Sequence, residues 1–227
     1  MVIIFGLALA AVIFLPQWWV KRVLRRYQEP SDRYQGTGGQ LARHLLDRLG
    51  LESVGVEPTD PGADHYDPEA RMVRLSPENH DSASLTAITV AAHEVGHAVQ
   101  HADGYKPLVW RTRLVKSLAR LQRLGVIMIA LMPLVIVALR LPRAGIILLV
   151  LGLATLASGI VVHLMTLPTE IDASFRRALP MLEKGGYLKP GDRGHARRIL
   201  TAAAFTYVAA SLMGLVNFWW WLRLLRP

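Results

Sequence analysis

Leu85-Thr-Ala-Ile-Thr-Val-Ala-Ala-His-Glu-Val-Gly-His-Ala-Val-Gln-His101 carries the pattern H-E-x-x-H at His93, Glu94 and His97, inside a run of small and apolar residues. Residues four apart on an α-helix are about 6 Å apart along the axis and roughly 40° apart in angle, so both imidazoles can converge on one ion. The carboxylate between them is then placed as a general base, the arrangement a zinc-dependent hydrolase needs. With 8 His and 8 Glu in 227 residues, roughly 0.01 such matches are expected by accident, so the pattern is read as chemistry. His101 lies about 12 Å from His93 along a straight helix, too far for zinc bonds of about 2.0 to 2.1 Å from all three histidines. Ala98, Val99 and Gln100 continue the helix, so His101 is read as lying behind the metal or at the surface.

Four apolar runs divide the rest of the chain: Val2 to Val20, Leu124 to Leu139, Ala144 to Leu167 and Ala202 to Leu222. They explain a hydrophobic share of 52% and a mean hydropathy of +0.29 beside a net charge of +9. A helix needs about 20 mostly apolar residues to cross a hydrocarbon core about 30 Å thick, and the first, third and fourth runs have that length. The second run has 16 residues and gains reach if Arg120 and Arg123 snorkel, extending the helix back over Leu118 and Leu121. Nothing else in the chain is large enough to bury four such helices in a soluble core, so four transmembrane helices are expected. The first run has no basic segment before it and is followed by Lys21, Arg22, Arg25 and Arg26. That is the order of an anchor with its N-terminus outside, not of a cleaved signal.

Lys and Arg accumulate in cytoplasmic loops near membrane ends. They follow the first run, precede the second (Arg111, Arg113, Lys116, Arg120, Arg123) and fill the stretch between the third and fourth, from Arg176 to Arg198. The turn between the second and third runs has only Arg140 and Arg143, and the C-terminal tail only Arg223 and Arg226. Both termini are therefore expected outside. The organisation read from this is an anchor over 1–20, a cytoplasmic region over 21–123, a transmembrane hairpin over 124–167, a second cytoplasmic segment over 168–200, and a transmembrane helix with a short tail over 201–227. The basic residues cluster at span ends without the interleaved aromatics of a nucleic-acid motif, so the lipid bilayer is the expected partner and nucleic acid is not. The absence of cysteine excludes disulfides, thiol catalysis and Cys-ligated metal, leaving His and carboxylate to hold any zinc.

Ahead of the metal helix, Gly36 to Gly39 opens an amphipathic helix whose Leu41, Leu45, Leu46 and Leu49 share a face, ending near Gly50. Val54 to Glu57 and Met72 to Leu75 read as strands, closed by Pro58 and by Ser76 with Pro77, with a turn over Asp60 to Ala63. Ser82 or Ser84 can cap the metal helix, which is expected to run to about His101. The strand over Met72 to Leu75 either offers its edge to an extended substrate or only packs on that helix.

A catalytic zinc takes three protein ligands and keeps one position open, so a carboxylate must come from elsewhere. Candidates are Asp64, Asp67, Glu78, Asp81, Asp103, Glu170 and Asp172. Glu170 emerges at a helix end that the membrane would hold fixed, with small Ala173 three positions on to allow close packing; it could equally be a capping residue behind Pro168. Donors to a developing oxyanion are offered by His65, Tyr66, Arg176 and Tyr207.

The segments Asp64-His-Tyr-Asp-Pro68, Val73-Arg-Leu-Ser76, Ala92-His-Glu-Val-Gly-His-Ala-Val-Gln-His101, Leu167-Pro-Thr-Glu-Ile-Asp-Ala-Ser174 and Ala202-Ala-Ala-Phe-Thr-Tyr-Val-Ala-Ala210 together resemble the YugP-type membrane zinc metallopeptidases, nearly end to end. The resemblance implies distant kinship to the HtpX-like and CAAX-protease membrane gluzincins. In that group the third ligand is a glutamate in a later helix followed three residues on by a small Ala, and the matching position here is Glu170. Many of those relatives place Asp after the Ala, where this chain has Ser174, so Asp172 is an alternative source of the hydrogen bond to a zinc-binding histidine.

The expected fold class is mainly α: four transmembrane helices with a small α+β, zincin-like cytoplasmic region. The expected activity is that of a membrane-anchored zinc endopeptidase. Its metal would rest on His93, His97 and Glu170, its base would be Glu94, and its substrate would be polypeptide. An intramembrane protease, with the metal helix itself a span, and a non-catalytic zinc-stabilised scaffold are the rival readings. The sequence assigns no oligomeric state.

Overall fold

The computed structural model describes the backbone of residues 2–206 and the side chains of these except 2–13, 115, 116, 119, 156, 157 and 159–165. Tyr207 and most of the fourth apolar run therefore lie outside the described residues. The elements are α1 (Val2–Arg26), α2 (Gly38–Arg48), β1 (Gly55–Pro58), β2 (His65–Asp67), β3 (Met72–Leu75), α3 (Pro77–His80), α4 (Leu85–Ala102), α5 (Lys106–Val137), α6 (Pro142–Ile171), a π-helical segment (Asp172–Ala178) and α7 (Leu179–Lys184). Residues 193–206 are helical and are called α8. The chain divides into two compact units, one of them made from Pro16–Leu108 and Leu167–Thr206. Among the described residues, the other contains the chain up to Leu15 and Val109–Thr166.

In the first of these units, α4 is the central element. Ser84 caps it, its side chain accepting from the Ala87 amide at 3.1 Å, as one of the two sequence candidates predicts. Alanine at positions 87, 91, 92 and 98 lets other elements approach from several sides, and every residue from Leu85 to Ala98 is buried. Helix α2 begins at a capping box, Thr37 with Gln40, and buries Leu41, Leu45 and Leu46. Leu49 does not share that face: it is the C-cap residue and is exposed, because the chain turns away through Gly50 at a φ of +69°. Gly38 lies so close to the start of α4 that a Cβ there would sit 2.8 Å from the Ala87 carbonyl oxygen.

The sheet has the order β1-β3-β2, with β1 parallel and β2 antiparallel to β3. This overturns the expectation that Met72 to Leu75 offers a free edge: β3 is central and both its sides are paired. Val73 and Leu75 are fully buried, and Arg74 ties both neighbours to β3 through Glu57 at 2.6 Å and Asp67 at 2.8 Å. The strand missed by the sequence reading is β2, whose three residues His65, Tyr66 and Asp67 carry no apolar alternation to signal it. Beyond the sheet, Arg33 and Tyr34 reach Asp192 just before α8, at 2.7 Å from Arg33 Nη2 and 2.5 Å from the Tyr34 hydroxyl. Burial and this hydrogen bond push the Tyr34 phenol up to about 12.

In the other unit, α5 and α6 are joined by a short turn and pack through glycines. A Cβ on Gly152 would sit 2.8 Å from the Gly125 carbonyl oxygen, so the two backbones approach as small residues allow. The faces turned away carry exposed Leu124, Val126, Ile127, Leu131 and Leu134 on α5 and Ile146, Ile147 and Val150 on α6. Among the described residues one helical stretch, Arg120–Val137, is long and apolar enough to cross a membrane, with a mean hydropathy of 1.8. Helix α6 does not stop at Pro168. It runs on to Ile171 and winds directly into the π segment, so Glu170 lies within continuous helix and does not cap one.

Candidate metal centre

His93 and His97 face each other one turn apart on α4, with ring centroids 4.7 Å apart and planes at 77°. Both present Nε2 to the same carboxylate oxygen, Glu170 Oε2, at 3.2 Å and 3.3 Å. The three side chains are buried, at 4%, 5% and 0% exposure, and their ligand atoms lie within 4.8 Å of one another. Zinc bonds of about 2.0 to 2.2 Å at tetrahedral angles separate neighbouring ligand atoms by about 3.3 Å. The two nitrogen–oxygen separations match that edge, so the donor set fits zinc in chemistry and in these spacings. Glu94 is also buried, at 6% exposure, one position along from His93.

The other nitrogen of each ring is held from behind. Ser174 Oγ donates to the Leu200 carbonyl at 3.3 Å, which leaves it to accept from His93 Nδ1–H at 3.1 Å. Gln100 Nε2 donates to the Thr169 carbonyl at 2.9 Å and to Asp172 Oδ2 at 2.8 Å, so its Oε1 accepts from His97 Nδ1–H at 2.9 Å. Both rings are thereby assigned the tautomer that turns an Nε2 lone pair toward Glu170, as a metal ligand requires. Ser174 thus meets His93 directly, while Asp172 reaches a histidine through Gln100. Sequence reasoning missed Gln100; the available signal was its position three residues after His97, on the same helix face.

Gly96 explains how Glu170 comes so near. A Cβ there would lie 2.8 Å from the Ala173 carbonyl oxygen, and Ala173 itself is fully buried against α4. The small residue three positions after Glu170 therefore does allow the close packing expected of it. Gly96→Ala must push the π segment away and carry Glu170 with it. The expected result is a loss of about 1 to 3 kcal/mol in stability from overpacking, together with weaker metal binding. Thermal melting and chelator competition would check it; a variant unchanged in both would refute the contact.

The remaining candidates are employed elsewhere. Asp64 accepts from the Ser76 amide and from Asn79, Asp67 pairs with Arg74, Asp81 bonds His80, and Asp103 pairs with Arg177. Glu78 is exposed on α3. His65 is exposed with Nδ1 on its neighbour Ala63 O, and Arg176 is exposed. Tyr66 bonds His101 Nδ1 at 2.8 Å, and His101 is not among the three converging groups.

The chain matches, over residues 1–226, the family described as "Putative neutral zinc metallopeptidase". It belongs to that family. This member is 34% identical over 216 residues to a Bacillus subtilis (strain 168) protein named "Putative membrane protease YugP", covering 92% of this chain and 89% of that one. No solved structure matches the chain. Zinc is accordingly the metal for which the buried His93, His97 and Glu170 group is read.

Proposed function

We propose that this metallopeptidase is a membrane-anchored zinc endopeptidase acting on membrane or membrane-proximal polypeptides, with its active site on the cytoplasmic side. The observation that carries the reading is the convergence of His93 Nε2 and His97 Nε2 on one oxygen of Glu170, at tetrahedral spacing and beside buried Glu94. His93, His97 and Glu170 hold the metal, and Glu94 is the general base. Bound zinc supplies a Lewis acid that polarises the scissile carbonyl and lowers the pKa of water toward neutrality. Glu94 takes the proton of the attacking water at its carboxylate and delivers it to the leaving amine. Ser174 and Gln100 fix the two imidazoles in orientation and tautomer. With β3 paired on both sides, the outer side of β2 is where an extended substrate would add as a strand.

The membrane reading keeps four spans, with both termini outside and the domain limits of 1–20, 21–123, 124–167, 168–200 and 201–227. It is supported by the exposed apolar faces of α5 and α6, by the basic residues at span ends, and by the word "membrane" in the name of the Bacillus relative. Exposed Trp18 with the Arg22 guanidinium 5.1 Å from its ring centroid has the composition of a membrane interface. Burial of α4 among protein elements favours an extramembrane metal site over an intramembrane one, and the buried Glu94 favours catalysis over a scaffold. Purified in detergent, the chain is expected to carry one zinc and to cleave an unfolded polypeptide. A strong chelator should stop cleavage and added zinc restore it. Protein without zinc, or cleavage indifferent to the chelator, would refute the proposal.

A further inference from the structure

Beyond the groups that touch the histidines, a chain of polar contacts continues along the next turn of α4. His97, Gln100 and Asp103 follow one another at three-residue spacing on that helix. Opposite them, on the path from α6 through the π segment, stand Thr169, Asp172 and Arg177. Gln100 Nε2 and Arg177 Nε both donate to Asp172 Oδ2 at 2.8 Å, and Arg177 Nη1 donates to Asp103 at 2.6 Å. Asp172 is 6% exposed, whereas the Asp103 side chain is 59% exposed. Arg177 therefore has one buried partner and one that water reaches.

From this juxtaposition we infer that Arg177 is a positioning residue for the metal centre, acting through Asp172 and Gln100 on His97; the inference rests on the zinc reading above. An amide side chain has an acceptor end and a donor end, and its orientation is decided by what each end meets. Thr169 O and the Asp172 carboxylate both accept, so they hold the NH2 end of Gln100 and leave its oxygen for His97 Nδ1–H. A reversed amide would set its oxygen against two acceptors. It would also offer N–H to Nδ1 and drive the ring proton to Nε2, the atom that faces Glu170. Arg177 keeps the Asp172 carboxylate aimed at Gln100: it shares the same oxygen and neutralises a charge that would otherwise be buried alone. Without the guanidinium, Asp172 turns toward water, and Gln100 loses half of what orients it. The planar fork of Arg, which reaches Asp172 and Asp103 from Nε and Nη1, is what a point charge on Lys cannot reproduce in full.

The test uses the full-length protein in detergent with zinc alone, its affinity read by competition with a chromophoric chelator. Arg177→Gln is expected to weaken zinc binding about 10- to 100-fold, the size of effect seen when a partner behind a ligand is lost. Arg177→Lys should recover part of the loss. Asp103→Asn should stay within about threefold, since an exposed ion pair contributes little. Tyr34→Phe, which removes a hydroxyl bonded to Asp192, should lower the melting temperature without changing zinc affinity. If Arg177→Gln fails to fold, Asp172→Asn is expected to weaken zinc binding in the same way. A folded Arg177→Gln or Asp172→Asn with wild-type zinc affinity overturns this inference alone. So does an Asp103→Asn loss equal to that of Arg177→Gln, which would make the arginine a tether between helices. Wild-type protein that binds no zinc overturns the zinc reading together with it.

Discussion

Glu94→Gln is expected to lower the rate of polypeptide cleavage by about 10²- to 10⁴-fold while zinc stays bound. A positioned general base contributes about that much, or about 3 to 5 kcal/mol of barrier at 1.36 kcal/mol per tenfold. Gln preserves the size and the burial of the side chain, so α4 keeps its packing, but the amide has no basic oxygen to take the proton. Glu94 is not one of the three groups that converge at ligand distance, which is why zinc content and activity separate in this variant. Single-turnover cleavage with metal analysis on the same sample checks it. Full activity, or loss of zinc alongside activity, would remove Glu94 from the base role.

Glu170→Ala should do the opposite and lose the metal first. Apparent binding energies for structural zinc are about 10 to 16 kcal/mol, so one of three similar ligands carries on the order of 4 kcal/mol, or about three orders of magnitude in affinity. The variant also leaves His93 Nε2 and His97 Nε2 facing a buried gap where the carboxylate stood. Zinc retention through a mild chelator wash would refute Glu170 as a ligand, and Asp172 would be the carboxylate to test next. The fold itself should survive, because Ala173 and Gly96 still pack and Ser174 still holds the π segment to α8.

Much of the local structure was legible because it depends on short-range rules. The capping serine of α4, the opening of α2 within Gly36 to Gly39 and the strand over Met72 to Leu75 follow from rules that act within a few residues. What failed was the partnership of that strand. Pairing is a long-range choice, and the three polar residues of β2 give no alternation from which to read it. The path through Pro168 was hidden for a related reason: proline signals a boundary locally, yet α6 passes through it and opens into a π segment once packed.

By itself, the sequence determined the helix with two imidazoles and a carboxylate at fixed spacing, because 3.6 residues per turn allow no other relation among His93, Glu94 and His97. It also determined that any zinc must rest on His and carboxylate, since no cysteine is present. The resemblance carried by its motifs named Glu170, but residue spacing alone left seven carboxylates open. Tertiary structure brings one of them to the histidines: Gly96 admits the backbone of Ala173, and that approach delivers Glu170 Oε2 to both rings. It likewise put Gln100, Asp172 and Arg177 behind His97. Those contacts join residues about seventy positions apart, and only the packing of one helix on another creates them.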